Sequence, residues 1–189
     1  MENKKKRVVA KNVENRRGKT FNDYEDEFEY LISSGIALNV QAVSNPVFPL
    51  VESVGKNLVK LYLNDVGILT CILYGNNIRA VCDDIKSINL GSVYESVVAS
   101  ELAAHGHKLF YYDNRSKGEV DYLTDDYESL SVVPLEIKSG KDYTVHSALN
   151  NFVKNEDYNI KKAYVLSNER DVKIKDKIIY LPIYYIMFF

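Results

Sequence analysis

The sequence predicts an α/β protein whose C-terminal half runs helix, three strands, helix, strand. Apolar residues recur at helical spacing in GSVYESVVASELAAHG and again in TVHSALNNFVKN. Short segments rich in aromatic and β-branched residues, bounded by turn residues, lie between and after these helices: KLFYYDN, EVDYLTD, SVVPLEIK and KAYVLSN. Mixed patterns of this kind favour one sheet flanked by helices.

The ends of these elements also carry signals. Ser92 is the predicted N-cap of the first C-terminal helix, and Gly106 follows its last apolar residue. Upstream, FNDYEDEFEYLISSG predicts a helix and IALNVQAV a strand. VGKNLVKLYLNDVGILTCILYG predicts a strand, a turn and a short helix ending at Gly75. Residues 84–91 look like a connector, so we predict a smaller N-terminal helical part over 1–88 and the main domain over 89–189.

Charge is distributed unevenly along the 189 residues. The formal net charge of −2 gives no basic field over the whole molecule. Residues 1–20, however, hold eight basic and two acidic side chains, so a net charge of +6 is balanced by −8 in the remainder. A basic arm of this kind can hold phosphate, although a basic terminus is more often a solvated, mobile tail.

Cysteine usage and hydropathy indicate a cytoplasmic protein. Cys71 and Cys82 lack metal-ligand spacing and are predicted to be reduced core residues. The longest apolar run, IIYLPIYYIMFF, is too short to span a bilayer and is interrupted by Pro182, so we expect no membrane partner and a buried final strand or helix.

Three residues of the predicted hairpin form the candidate active site. Glu136 and Lys138 are two positions apart on one strand, so their side chains leave the same face. Asp121 lies on the preceding strand, and a turn through residues 125–129 brings it near Glu136. Glu95, on the helix before, offers a third carboxylate, with Glu101 as the geometric alternative on that helix.

These residue types together fit phosphodiester hydrolysis. Carboxylates are the hard oxygen ligands that Mg²⁺ prefers, and the remaining positions go to water and substrate phosphate. A lysine beside them can orient a water molecule and stabilise the charge of the transition state. We therefore predict Asp121, Glu136 and Glu95 as ligands of Mg²⁺ or Mn²⁺, with Lys138 as the water-orienting group. The three histidines lack ligand spacing and are predicted to be surface or capping residues: His105, His107 and His146.

GSVYESVVASELAAHG, GEVDYL and PLEIKSGK together resemble the PD-(D/E)XK nuclease superfamily, which has the restriction-endonuclease-like fold. More narrowly, they resemble the domain of unknown function found C-terminal to the ATPase module in a family of predicted prokaryotic AAA-type ATPases. The resemblance assigns Glu95, Asp121, Glu136 and Lys138 to the superfamily's helix glutamate, two acidic residues and lysine. Val120 stands where the superfamily name has proline.

The ATPase part of that family has no counterpart here. Gly18-Lys19-Thr20 imitates the end of a phosphate-binding loop, but Val13 replaces the required glycine. The resemblance therefore covers the C-terminal part of such a protein, and it likens FNDYEDEFEYLISSGIALNVQAV to the last helix and wing strand of a winged-helix unit. That helix is acidic, which argues against contact with phosphate.

Two functions from different classes follow. The first is metal-dependent cleavage of nucleic acid, with DNA as the expected substrate. The second is a non-catalytic module that binds nucleic acid or protein and regulates an ATPase domain. Homo-oligomerisation is a further possibility, because apolar surface left by an absent ATPase domain would favour self-association.

Overall fold

The computed structural model describes residues 21–75, 77–83, 88–140 and 142–189. The α-helices are α1 (Glu25–Ser33), α2 (Val66–Tyr74), α3 (Ile78–Cys82), α4 (Gly91–Ala104) and α5 (Ser147–Lys154). The strands are β1 (Ala37–Val43), β2 (Val54–Leu63), β3 (Phe110–Asn114), β4 (Gly118–Asp126), β5 (Ser131–Lys138), β6 (Ala163–Ser167), β7 (Lys173–Lys175) and β8 (Ile178–Pro182). The predicted basic arm and the Gly18-Lys19-Thr20 sequence lie outside the described residues.

The strands form one mixed sheet in the order β2-β1-β3-β4-β5-β6-β8-β7. Strands β3, β4 and β5 are an antiparallel meander, while β6 runs parallel to β5 and β8 parallel to β6. Helix α4, the three strands, helix α5 and strand β6 follow each other in the predicted order. The sequence-based prediction of a mixed α/β architecture is confirmed.

The N-terminal strands extend this same sheet. Strands β1 and β2 pair antiparallel, and β1 then pairs parallel with β3 through Gln41–Val43 and Phe110–Tyr112. A single sheet therefore crosses the predicted boundary at residue 88, and the predicted winged-helix strand is an interior strand of it.

Two hydrophobic cores cover the two faces of the sheet. On one face, Val98, Ala99 and Leu102 of α4 pack with the inward side chains of β4, β5 and β6. On the other, Leu149 and Phe152 of α5 pack against the opposite side chains of the same strands. Burial of apolar surface on both faces explains why β5 is buried almost along its whole length.

A β-bulge interrupts the ladder between β3 and β4. Tyr112 pairs with Val120 and Phe110 pairs with Leu123, so β4 carries one extra residue, and Asp121 and Tyr122 stand opposite Tyr111. Bulges bend a strand and redirect its side chains. As a result, Val120 and Leu123 contribute to the α5-side core, while Tyr122 contributes to the α4-side core.

Several predicted details need correction. Helix α4 begins at Gly91, and its N-cap residue is Leu90, so Ser92 lies inside the helix and is not the cap. The Asn89 side chain instead accepts a hydrogen bond from the Gly91 backbone N–H at 3.0 Å. Gly106 does follow the helix, with a φ of 83° that favours glycine. In the described residues, no helix is long and apolar enough to span a membrane.

The prediction that Cys71 and Cys82 are core residues is wrong. Both are free thiols and both are exposed. Cys71 lies on α2, a mostly apolar helix in which no residue is buried. An apolar sequence therefore did not mean that other segments pack over this helix. Ile68 and Ile72 of α2 are also more than half exposed, and self-association through this helix stays a prediction for light scattering to test.

We expect both cysteines to react with Ellman's reagent in the native protein, because a thiol's accessibility governs its modification. The measurement is the number of thiols titrated before and after denaturation. A second thiol that reacts only in denaturant would contradict the exposed placement of Cys71 or Cys82.

Candidate active site

A shallow cleft of about 520 Å³ contains the four residues predicted from the sequence. It lies where the N-terminus of α4 meets strands β4 and β5 and the segment after β5. Its lining residues include Glu95, Asp121, Glu136 and Lys138, together with Gly91, Ile137, Ser139, Gly140, Asp142 and Val145.

Asp121 is held by the backbone of the neighbouring strand. Tyr122 pairs with Leu135, so Asp121 and Glu136 are the next residues across the β4–β5 pair. The Asp121 carboxylate accepts a hydrogen bond from the Ile137 backbone N–H, with Oδ2 2.8 Å from the nitrogen. This bond fixes the carboxylate beside the segment that carries Glu136 and Lys138.

Glu136 and Lys138 form a direct ion pair. The Lys138 Nζ lies 2.8 Å from Glu136 Oε1, as expected for side chains two residues apart on one strand. The second oxygen, Oε2 of Glu136, is buried and has no hydrogen-bond partner within the described part of the chain. A buried carboxylate oxygen without a donor is costly, so this atom marks a place where a positive ligand would be stabilised.

Glu95 reaches the cleft from α4 and is fixed by two tyrosines. Its side chain is buried, and its Oε2 accepts a hydrogen bond from the Tyr62 hydroxyl at 2.8 Å. The Tyr122 hydroxyl donates to the backbone oxygen of Glu95 at 2.9 Å. Strand β2, in the N-terminal part of the chain, therefore helps to position a carboxylate of the cleft.

A buried lysine of β2 adds positive charge close to these acids. Lys60 is 1% exposed, forms an ion pair with Glu119, and its Nζ lies 4.5 Å from the centre of the Tyr111 ring. Its charge acts to lower the pKa of both Asp121 and Glu136. Lys60 was not among the residues predicted from the sequence, although a lysine two residues before Tyr62 in an apolar strand is a visible signal of a buried charge.

The acids repel each other in a poorly solvated place. Burial, followed by repulsion from Glu136 and Glu95, raises the pKa of the Asp121 carboxyl well above its ordinary value. Burial likewise raises the pKa of Glu136, although Lys138 opposes that shift. Burial acts to lower the pKa of Lys138, but attraction to Glu136 prevails and the pKa is raised. Lys138 is therefore an ammonium at neutral pH.

The donor set fits a hard divalent cation. In the parts of the chain that the structure describes, no three His, Cys, Asp or Glu side chains are arranged as metal ligands. Mg²⁺, however, is commonly held by only one or two protein carboxylates, with water and phosphate completing its coordination. Asp121 and Glu136 supply two such groups, and the unpartnered Oε2 of Glu136 is an available oxygen.

The remaining candidates lie elsewhere. Glu101, the alternative acid of α4, is not among the residues that line the cleft. His105 occupies the C-cap position of α4 and is exposed, which confirms its predicted place. His146 was predicted to be a surface or capping residue. It occupies the N-cap position of α5, without a side-chain cap hydrogen bond, but the prediction that it lies at the surface is wrong. It is 4% exposed and hydrogen-bonds Tyr180, because the loop before α5 folds inward over β8.

Comparison with known proteins supplies a family for this arrangement. Residues 90–186, just over half of the chain, match the family described as a domain of unknown function, DUF4143. The chain belongs to the DUF4143 family. The matched region of this DUF4143 protein holds all four predicted site residues, while Lys60 and Tyr62 precede it. Neither the curated proteins nor the solved structures gave a match.

Proposed function

We propose that this DUF4143 protein hydrolyses phosphodiester bonds of nucleic acid with a divalent cation, Mg²⁺ or Mn²⁺, held by Asp121 and Glu136. One observation carries the proposal: two crowded carboxylates and an ammonium share one cleft, and a buried oxygen of Glu136 lacks a donor. The raised pKa values of both acids mean that added positive charge would relieve their repulsion.

The chain's own residues have distinct tasks in this proposal. The bound cation would supply Lewis-acid polarisation of the phosphate. Lys138, kept protonated by Glu136, donates hydrogen bonds to a phosphate oxygen or to the attacking water and offsets developing negative charge. Glu95, held by Tyr62, is the accessory carboxylate that orients water. Gly91 lines the cleft at the start of α4, where the positive end of the helix dipole favours phosphate.

The finer relationship is part of the same proposal. We assign the order helix, three strands, helix, strand to a restriction-endonuclease-like core of the PD-(D/E)XK type. The spacing of Asp121, Glu136 and Lys138 supports that assignment, as does the position of Glu95 on the first helix. By the same resemblance, an AAA-type ATPase domain accompanies this module in related proteins.

The test is cleavage of plasmid and oligonucleotide DNA, and of RNA, in Mn²⁺ and in Mg²⁺. We expect Lys138→Ala to lower the cleavage rate by at least about a hundredfold, because it removes a charge aimed at the transition state. Lys108→Ala, at an exposed lysine outside the cleft, is the matched control and should leave the rate unchanged. Equal products from wild type and Lys138→Ala, or none from either, would remove the catalytic proposal.

A non-catalytic binding module is the second candidate. It draws support from the Lys138–Glu136 ion pair, since an ammonium already occupies one oxygen of a carboxylate needed for metal. Calorimetric titration with Mg²⁺ and Mn²⁺ separates the two. Metal uptake that is lost in Asp121→Ala supports the enzyme, whereas no uptake by wild type supports the module.

A further inference from the structure

A second cavity, of about 540 Å³, lies beside the cleft of the candidate active site. The segment 142–146 contributes to both: Asp142 and Val145 line the cleft, and Thr144 and His146 line the cavity. Helix α5, the 3-10 turn that follows it and the β7–β8 hairpin complete the walls. Its volume lies in the range of small-molecule sites.

Two residues that line this cavity, His146 and Asn155, each carry a buried side-chain nitrogen without a hydrogen-bond partner among the described residues. His146 is 4% exposed, and its Nε2 lies 2.8 Å from the Tyr180 hydroxyl. On the other edge of the ring, Nδ1 is buried and meets no hydrogen-bond partner among the described residues. The same holds for the amide nitrogen of Asn155. Buried groups of this kind cost free energy until a ligand pairs with them.

The imidazole of His146 is neutral and can therefore both donate and accept a hydrogen bond. Burial lowers the pKa of His146, although interactions with its own backbone and with the Asn150 side chain act to raise it. The Lys138 and Lys175 charges act in the same direction as burial, and the pKa is lowered. A neutral ring uses one nitrogen as donor and the other as acceptor, according to its tautomer. Because Tyr180 can either donate to Nε2 or accept from it, Nδ1 can accept or donate toward a ligand.

The other walls of the cavity combine apolar surface with charge. Val153, Ile160 and Ile178 supply apolar surface. Around the opening, ammonium groups outnumber carboxylates, with Lys154, Lys175 and Lys177 against Glu156 and Asp176. A suitable ligand thus has a flat apolar body, both donors and acceptors along an edge, and a negative group.

We propose that this cavity binds a nucleoside monophosphate unit, with the base against the apolar wall and the phosphate at the rim lysines. The base edge would lie beside His146 and Asn155, the lining residues that carry an unpartnered nitrogen, and its amino groups can donate to the rim carboxylates. Inorganic phosphate alone would leave the apolar wall bare. A fatty acid would leave the imidazole and the amide without partners. A nucleotide satisfies all of these surfaces.

The site goes beyond the proposed function and does not require cleavage at Asp121. The shared segment 142–146 allows two sources for the nucleotide. It is either a free mononucleotide or the terminal nucleotide of a strand that also occupies the cleft. The chemistry recognised is the same in both.

The experiment is calorimetric titration of the whole protein in EDTA, so that metal-dependent cleavage plays no part. The probes are the four nucleoside 5′-monophosphates, inorganic phosphate and a 5′-phosphorylated oligonucleotide. We expect saturable binding of at least one mononucleotide, at least about tenfold tighter than inorganic phosphate. Tighter binding of the mononucleotide than of the oligonucleotide assigns the free nucleotide, and the reverse order assigns the strand end.

Variants locate the binding. Lys175→Ala/Lys177→Ala, at two exposed positions, should weaken binding about tenfold, whereas Lys108→Ala outside the cavity should not. His146→Phe keeps a ring of similar size and should reduce the difference in affinity among the four bases, with its melting temperature recorded beside it. The proposal is overturned if no mononucleotide binds, if phosphate binds equally well, or if the double lysine variant binds like wild type. None of these outcomes tests the proposed nuclease activity, which depends on the separate comparison of cleavage by wild type and Lys138→Ala.

Discussion

Asp121→Asn is expected to abolish cleavage while making the folded protein more stable at neutral pH. The amide can still accept the Ile137 N–H bond, but it cannot contribute the negative charge that the cation requires. We expect at least about a hundredfold loss of cleavage. The removed carboxylate is half-buried and crowded by Glu136 and Glu95, so stability should rise by about 1 kcal/mol, or roughly 2–4 °C in melting temperature.

The stability gained in Asp121→Asn should depend on pH. The pKa of Asp121 is raised in the folded protein, so its favourable contribution is complete below the unfolded pKa of about 3.9. It is lost as pH rises through the folded pKa. The stability advantage of Asp121→Asn should therefore be small near pH 4 and grow toward neutral pH. Urea unfolding at several pH values, without divalent cations, measures it.

Asp126→Asn is the matched control because its shift has the opposite sign. A hydrogen bond from Lys162 lowers the pKa of Asp126 to about 2, so its contribution is present above about pH 3.9 and is lost as pH falls toward 2. This substitution should cost a few tenths of a kcal/mol to about 1 kcal/mol at neutral pH. If both variants lose stability at pH 8, the electrostatic account of Asp121 is wrong.

Glu119→Gln is expected to destabilise the protein by about 2 kcal/mol. Lys60 is almost fully buried, and Glu119 is its ion-pair partner. Removing one partner of a buried pair leaves the other charge uncompensated, which costs about 3–5 kcal/mol when both are buried. Glu119 is 39% exposed, so solvent screens part of this cost and the lower figure applies.

Lys60→Met provides the comparison. Its side chain can pack on Tyr111 without burying a charge, so we expect a smaller loss of stability than in Glu119→Gln. Urea unfolding of both single variants and the double variant measures the coupling between the two residues. Equal losses in the two single variants would show that packing, not the buried charge, sets the stability at this position.

Local patterns predicted most elements of the C-terminal half. The β-branched residues of SVVPLEIK and the helical spacing in GSVYESVVASELAAHG are features of short stretches of sequence, so they can be read along the chain. The same reasoning placed Glu136 beside Lys138, because a strand's period of two fixes which side chains share a face. Local patterns did not predict that Cys71 is exposed or that His146 is buried. Exposure depends on whether segments distant in the sequence pack beside a residue.

By itself, the sequence determined the mixed α/β architecture and the identity of the acids and lysine in the candidate site. Only the tertiary structure decided how these side chains are arranged around the cleft and which distant residues contact them. The bulge at Asp121 and Tyr122 changes the alternation of side chains along β4. The pairing of β2 with β1, and of β1 with β3, brings Lys60 and Tyr62 of β2 close to residues far away in the chain. The physical reason is range: side-chain periodicity is a local property of the backbone, whereas burial, charge repulsion and strand pairing depend on residues distant in sequence.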